Sequence, residues 1–250
     1  MNDSNQDNLF AHPLGVVPDF VFDQAVVDVF PDMIKRSVPG YETILAHCGE
    51  LASRYVQADS HCYDLGCSLG ASTVAMRSRI EGRNAKIIAV DNSSAMLDKC
   101  ATILASVPSA VNTDLVNQDI CDTVINNASM VVMNFTLQFV PMAQRVPLLK
   151  KIYAGLNPGG CLVISEKLYF EPPSLNTLLG DLHHQFKRAQ GYSDLEISQK
   201  RDSIENVLIP ETLDAHIQRL RTCGFQSASP WFPVSYTHLR AHETREDRVF

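Results

Sequence analysis

The chain has 250 residues, of which 45% are hydrophobic and 20% charged, with a net charge of −7. That length supports one sizeable core, and the acidic excess disfavours a protein that grips nucleic acid with its own surface. No apolar run approaches the ~20 residues that span a bilayer, and the opening MNDSNQDNLFAHPLG is polar and acidic, unlike a signal peptide, so a cytoplasmic protein without membrane contact is expected.

Residues 22–30, FDQAVVDVF, predict a short helix with Asp23 near its N-cap, and Pro31 and Pro39 punctuate the next stretch of chain. Residues 41–55 carry Tyr41, Ile44, Leu45, Cys48, Leu51, Ala52 and Tyr55 at helical spacing. Strands and helices then alternate. HCYDLG (61–66) reads as a strand, GASTVAMRSRI (70–80) as a helix, KIIAVD (86–91) as a strand, and SSAMLDKCATILASV (93–107) as a helix capped by Ser93. TDLVNQD (113–119) and MVVMNFT (130–136) read as strands. PLLKKIYAGLNPGG (147–160) reads as a helix closed by its Pro-Gly-Gly turn, and CLVISEK (161–167) as a strand. From about 172 to 209 the alternation stops. Two helical stretches there, SLNTLLGDLHHQFKRAQ and SDLEISQKRDSIENVL, form an insertion that covers a site or makes a subunit contact.

This alternation, with near-continuous apolar strands, predicts a doubly wound α/β sheet covered by helices on both faces. Ligands of such sheets sit at the carboxyl ends of the strands. Asp64, Asp91, Asp119, Asn134 and Glu166 stand at the five predicted ends. Seven cysteines, at 48, 62, 67, 100, 121, 161 and 223, are odd in number and form no CxxC. They read as free thiols and small buried hydrophobes, with no disulfide framework and no metal. His183 and His184 are adjacent, so on a helix they point about 100° apart; they read as surface or dimer-face residues.

YDLGCSLGAST (63–73) puts two glycines and a serine where the first strand becomes a helix. A dinucleotide pyrophosphate needs the G-x-G-x-x-G spacing. Here Ser68 stands in place of the second glycine and Ala71 in place of the third. The spacing D-x-G-x-x-x-G resembles instead motif I of class I S-adenosylmethionine-dependent enzymes, where bare backbone clears space for the methionine part of the ligand. Asp91 can accept both ribose hydroxyls. Asp119 offers an acceptor for the adenine amine, and Ile120 an apolar wall for the ring. In this order on these strand ends, the set points to an adenosine-plus-methionine ligand.

The resemblance extends further. VFPDMIKRSVPGY (29–41), YDLGCSLGAST (63–73), AVDNSSAM (89–96), ASMVVMNFTLQF (128–139), LNPGG (156–160) and GYSDLEISQKR (191–201) resemble the carboxy-S-adenosylmethionine synthases, in order, from about residue 17 to 232. That resemblance implies a class I methyltransferase-like, Rossmann-like fold. It implies S-adenosyl-L-methionine as substrate, carboxy-S-adenosyl-L-methionine as product, and prephenate as the second substrate, released as phenylpyruvate. It implies a homodimer and a functional partner, the tRNA carboxymethyltransferase that carries the product to the wobble uridine, with no direct tRNA binding by this chain. Position by position, Tyr41 would border the cofactor, Gly66, Cys67 and Ser68 its methionine moiety, Asp91 and Asn92 its ribose, and Asp119 and Ile120 its adenine. Asn134 would lie close to the reacting carbon and Arg201 would face the new carboxylate, the two expected catalytic positions. In isolation Lys200–Arg201 reads as a solvated face; the surrounding GYSDLEISQKR string reverses that.

The implied chemistry suits these residues. A sulfonium weakly acidifies its methyl group, and the resulting ylide can capture carbon dioxide. Prephenate aromatisation expels carbon dioxide and the ring hydroxyl together, so the enzyme supplies confinement and charge placement more than a strong base. A conventional methyltransferase and a non-catalytic binding subunit remain the alternatives. The former has no use for an arginine aimed at the methyl group.

A single domain is expected over residues 1–236. Beyond it, THLRAHETREDR (237–248) has Leu239 as its only sizeable apolar residue. Such a string is poorly suited to a strand buried on both faces. The seventh strand of the fold is therefore expected to be missing or degraded, with residues 237–250 a foreign or disordered tail and no strand from about 238 onward as good as that at 86–91.

Overall fold

A computed structural model describes residues 6–234 and 237–242. Helix α1 (Gln24–Ser37) starts where the Asp23 carboxylate accepts the Val26 N–H. It runs on through Pro31 instead of ending before it. The helix buries Val26, Val27, Val29 and Met33, and four such side chains at ~1.5–3 kcal/mol each outweigh a proline penalty of ~3 kcal/mol. Helix α2 (Tyr41–Tyr55) comes next, and then the alternation: β1 (His61–Leu65), α3 (Ala71–Arg77), β2 (Lys86–Asp91), α4 (Ser94–Ser106), β3 (Asn112–Asn117), β4 (Ala128–Asn134), a 3-10 turn at Leu137–Phe139, α5 (Met142–Gly155) and β5 (Leu156–Ser165). The insertion holds α6 (Pro173–Ala189) and α7 (Asp194–Ile204). Helix α8 (Leu213–Thr222), β6 (Ser227–Val234) and β7 (Thr237–His242) complete the described chain.

The seven strands form one sheet in the order β3-β2-β1-β4-β5-β7-β6, with β1 to β5 parallel. Period-two alternation sorts the strand side chains between the faces. Tyr63, Leu65, Val131, Met133, Leu162 and Ile164 pack toward Leu148 and Ile152 of α5 and Leu220 of α8. Cys62, Met130, Val132, Cys161 and Val163 pack toward Ile44, Cys48 and Ala52 of α2 and Met76 of α3. Among the described residues no helix is long and apolar enough to cross a membrane.

Two further boundaries differ from the sequence-based expectation, beside the end of α1 and an end of β3 at Asn117. Helix α5 ends at Gly155, where an added Cβ would collide with the Ile125 carbonyl, and LNPGG (156–160) opens β5 instead of closing the helix. The seventh strand is present: β7 lies antiparallel to both β5 and β6, with Leu162 opposite Ala241 and Ala228 opposite Ala241. Residues 237–242 thus belong to the sheet, and the expected boundary at 236 is corrected. The physical reason is that a ladder is made by backbone N–H and C=O groups, which every non-proline residue carries, and β7 has a strand edge on each side to satisfy them. The expectation for residues 243–250 lies outside the described residues.

Candidate active site

At the carboxyl ends of the parallel strands lies a cavity of about 510 Å³, walled also by α1, α6 and α7. Tyr41, Gly66, Cys67, Ser68, Asp91, Asn92, Asp119, Ile120, Asn134 and Arg201 all line it.

The loop after β1 turns through three left-handed residues, Gly66 at φ +77°, Ser68 at φ +49° and Gly70 at φ +80°. A Cβ at Gly66 would run into the Thr136 side chain, and one at Gly70 would stand 2.6 Å from Cys100 Sγ. The bare backbone is therefore required by the protein's own packing, a reason the motif alone does not supply. Cys67 is buried and its thiol is pushed well above the usual range, first by its hydrogen bond with Cys100 and then by burial.

Asp91, the last residue of β2, holds the loop in register. Its Oδ2 accepts the Ser68 N–H at 2.8 Å and its Oδ1 the Ser93 N–H at 2.9 Å. Each oxygen keeps a lone pair for another donor. Burial raises its pKa against these bonds. Asn92 beside it is exposed. Strand β3 ends at Asn117, so Asp119 and Ile120 sit in the turn beyond it. There Asp119 Oδ1 accepts the Cys121 N–H at 2.8 Å, and Ile120 is buried.

Asn134, at the end of β4, is a hub. Its Nδ2 donates to Ser72 Oγ at 2.8 Å and to Cys48 Sγ at 3.3 Å, and its Oδ1 accepts from Ser165 Oγ at 2.6 Å. Tyr41 opens α2, and its hydroxyl pKa is raised by burial and then by the Asp64 charge.

Two polar strand ends do not line the cavity. Asp64 is buried, accepts the Thr73 hydroxyl at 2.6 Å, and is pushed up to about 6 chiefly by burial. Glu166 is buried and accepts the Leu137 and Gln138 N–H groups, each at 2.8 Å. Both carboxylates satisfy donors inside the fold, so of the five expected positions Asp91, Asp119 and Asn134 line the cavity.

Arg201 projects from α7 with 61% of its side chain exposed and a long contact to Asp202 at 3.4 Å. Its neighbour Lys200 is buried, unlike the solvated face that the two residues suggest in isolation. The string around them holds the helix in place. Ser193 and Glu196 form a capping box, the Tyr192 hydroxyl donates to Asp7, and the Arg36 guanidinium stacks 3.9 Å over the Tyr192 ring. Gln199 binds the N-terminal segment across α7, accepting the Leu14 N–H at 2.6 Å and donating to the Phe10 and His12 carbonyls, each at 2.9 Å.

Other lining residues had no part in the expectation. Phe22 meets Phe20, Phe30 and Phe139 edge-on at 5.1–6.2 Å, making an apolar wall. Lys167, Lys187, His183 and His184 also face the cavity. The histidines are thus not outer-surface residues. His183 Nε2 lies 2.7 Å from the Ser37 carbonyl, and burial with the Lys187 charge lowers its pKa to about 4. Only the i, i+4 spacing of 183 and 187 could have signalled that these two share a face.

Residues 63–160 match the methyltransferase domain family. The carboxy-S-adenosyl-L-methionine synthase of Trichlorobacter lovleyi is 56% identical over 90% of this chain and 93% of its own. Enzymes of the same name from Shewanella pealeana and Aliivibrio fischeri are 55% identical, covering 92% of this chain and 94% of theirs, and 52% identical, covering 92% and 95%. Among solved structures, an O-methyltransferase family protein of Burkholderia thailandensis superposes with a TM-score of 0.64 at 16% identity, covering 98% of this chain and 64% of that one. Human N-acetylserotonin methyltransferase, solved with S-adenosylmethionine, gives 0.58 at 15%, covering 88% and 55%. These two likenesses concern the fold.

Proposed function

Because the chain belongs to the carboxy-S-adenosyl-L-methionine synthase family, we propose that it is a transferase that converts S-adenosyl-L-methionine and prephenate into carboxy-S-adenosyl-L-methionine and phenylpyruvate. The observation that carries this reading is the order of lining positions along the sheet: Asp119 just past β3, Asp91 at the end of β2, the Gly66–Ser68 loop after β1 and Asn134 at the end of β4, with Arg201 of α7 lining the same cavity. In the reaction the ring carboxyl carbon of prephenate becomes bonded to the methyl carbon. The methyl proton leaves with the ring hydroxyl as water, and the ring becomes aromatic.

The chain's part is to hold and to exclude. Asp91, already fixed by two backbone donors, takes the ribose hydroxyls on its remaining lone pairs. Asp119 and Ile120 receive the adenine, Asn92 flanks the ribose, and Tyr41 with Ser68 bounds the methionine arm. Cys67 is held as a thiol, so no thiolate competes for the methyl group. Asn134 is locked by Ser72, Cys48 and Ser165 and gives the reacting carbon a rigid floor. Arg201 offers its planar fork to the carboxylate that forms.

The reading extends to a homodimer. Helix α6 has no buried residue and exposes Leu175, Leu178 and Leu182 at 37%, 55% and 45%, spaced as one stripe, which a second copy would cover. A tRNA carboxymethyltransferase would consume the product, leaving tRNA contact to that partner, as the net charge of −7 favours.

Incubation with S-adenosyl-L-methionine and prephenate, followed by mass analysis, tests the function. A nucleoside heavier by one carbon dioxide, formed only with prephenate, is the expected result. A methylated acceptor and no such nucleoside would point to a conventional methyltransferase.

A further inference from the structure

The residues given to the nucleoside leave one end of the cavity unaccounted for, and that end is cationic. Lys167 comes just after β5, Lys187 lies on α6, and Lys200 and Arg201 lie on α7; all four line the same hollow. Lys187 is repelled by Lys167, and Lys200 by Lys187. Lys167 feels Glu205, Arg201 touches Asp202, and Lys187 and Lys200 share Asp7, which already accepts the Tyr192 hydroxyl. Gathering like charges around a hollow costs stability unless an anion enters it. His183 adds no charge, because burial and then the neighbouring Lys187 hold it neutral against the pull of the Ser37 carbonyl.

The sheet fixes where this end lies. Neighbouring strands are ~4.8 Å apart, and β2 and β5 are separated by β1 and β4, so Asp91 and Lys167 stand on the order of 14 Å apart. Asn134 on β4 lies between them, one strand from Lys167. A nucleoside laid from Asp119 toward Asn134 therefore ends where the lysines begin.

Resting on the function proposed above, we propose that Lys167 and Lys187 form the subsite for the second substrate and grip the carboxylate it retains, the one on its 2-oxo acid arm. The chemistry selects that carboxylate. A carboxyl group that must depart as carbon dioxide loses its charge in doing so, and a lysine paired with it would oppose the departure. The 2-oxo carboxylate keeps its charge throughout, so a cation there orients without slowing the reaction. Burial lowers both lysines, Lys187 to about 8, and a bound anion would reverse that shift.

The retained carboxylate is present in the product, so phenylpyruvate serves as an unreactive probe. It is titrated into protein saturated with S-adenosylhomocysteine, which has no methyl group to react. Lys167→Gln and Lys187→Gln are each expected to weaken phenylpyruvate at least tenfold, while S-adenosylhomocysteine affinity stays within about twofold, the mark of an intact fold. Lys187→Arg, which keeps the charge, should recover most of the loss. Unchanged phenylpyruvate affinity overturns the proposal, as does no binding by the unaltered protein. An equal loss for the nucleoside also overturns it, by assigning the lysines to the methionine carboxylate. The titration needs no turnover, so failure to form a carboxylated nucleoside would refute the proposed function while leaving this result readable.

Discussion

At the scale of residues, the same carboxylates can build the fold or hold a ligand, and their partners decide which. Asp91 does both. Asp91→Ala should weaken S-adenosylmethionine and the carboxylated product alike, by about 10- to 100-fold, since charge-assisted hydrogen bonds contribute ~1.5–3 kcal/mol; calorimetric titration showing either affinity unchanged removes it from the site. Arg201→Ala should separate the two ligands. Its exposed guanidinium is partly screened, so a loss of about tenfold for the product is expected, with the parent nucleoside almost unaffected. Equal weakening would end its assignment to the carboxylate. Glu166 builds the fold, and burial pushes it from 4.5 to about 8. A raised folded pKa means the folded chain keeps a proton that the unfolded chain releases. The resulting stability is complete below about 4.5 and is lost as the pH rises through about 8. Glu166→Gln cannot lose that proton, so its melting temperature should gain on the unaltered protein's between pH 5 and 8. Parallel melting curves would contradict the shift.

At the scale of elements, α6 presents two faces. His183 and Lys187 turn to the cavity, while the Leu175, Leu178 and Leu182 stripe turns outward. Leu178→Glu should convert a dimer into a monomer in sedimentation, and a monomeric parent protein would dismiss the interface. Sequence periodicity makes most elements legible, because amphipathic spacing is imposed by the same burial that forms them. It fails where a local rule meets a stronger tertiary one. Pro31 sits inside α1 because the buried face outweighs one lost amide bond. LNPGG belongs to β5 because Gly155 must pass close to Ile125. The tail strand is invisible to a reading of its side chains, because the main chain makes the ladder. In the site, the positions proposed for the nucleoside are legible because they lie at or just past strand ends in chain order. The lysines are not, since Lys167, Lys187 and Lys200 come from three elements that only folding brings together. Nor is Gln199 as the clasp of the N-terminal segment.

At the scale of the whole molecule, a chain of net charge −7 encloses a cavity whose two ends differ in sign, Asp91 and Asp119 at one and the lysines at the other. That polarity reaches outward into diffusion. Within a Debye length of ~8 Å of the surface at physiological ionic strength, but away from the cavity mouth, an approaching solute meets mainly the net negative charge. In the proposed reaction S-adenosylmethionine, which carries a net positive charge, would be drawn in; prephenate, a dianion, would be held off until it reached the mouth of the cavity and the lysines proposed to grip it. Added inert salt screens both effects and should therefore act on the two substrates in opposite directions. Stopped-flow association of the nucleoside should slow as salt rises, while capture of the dianion should hold steady or quicken. One enzyme solution would then speed one encounter and hinder the other, with ionic strength setting which substrate arrives first.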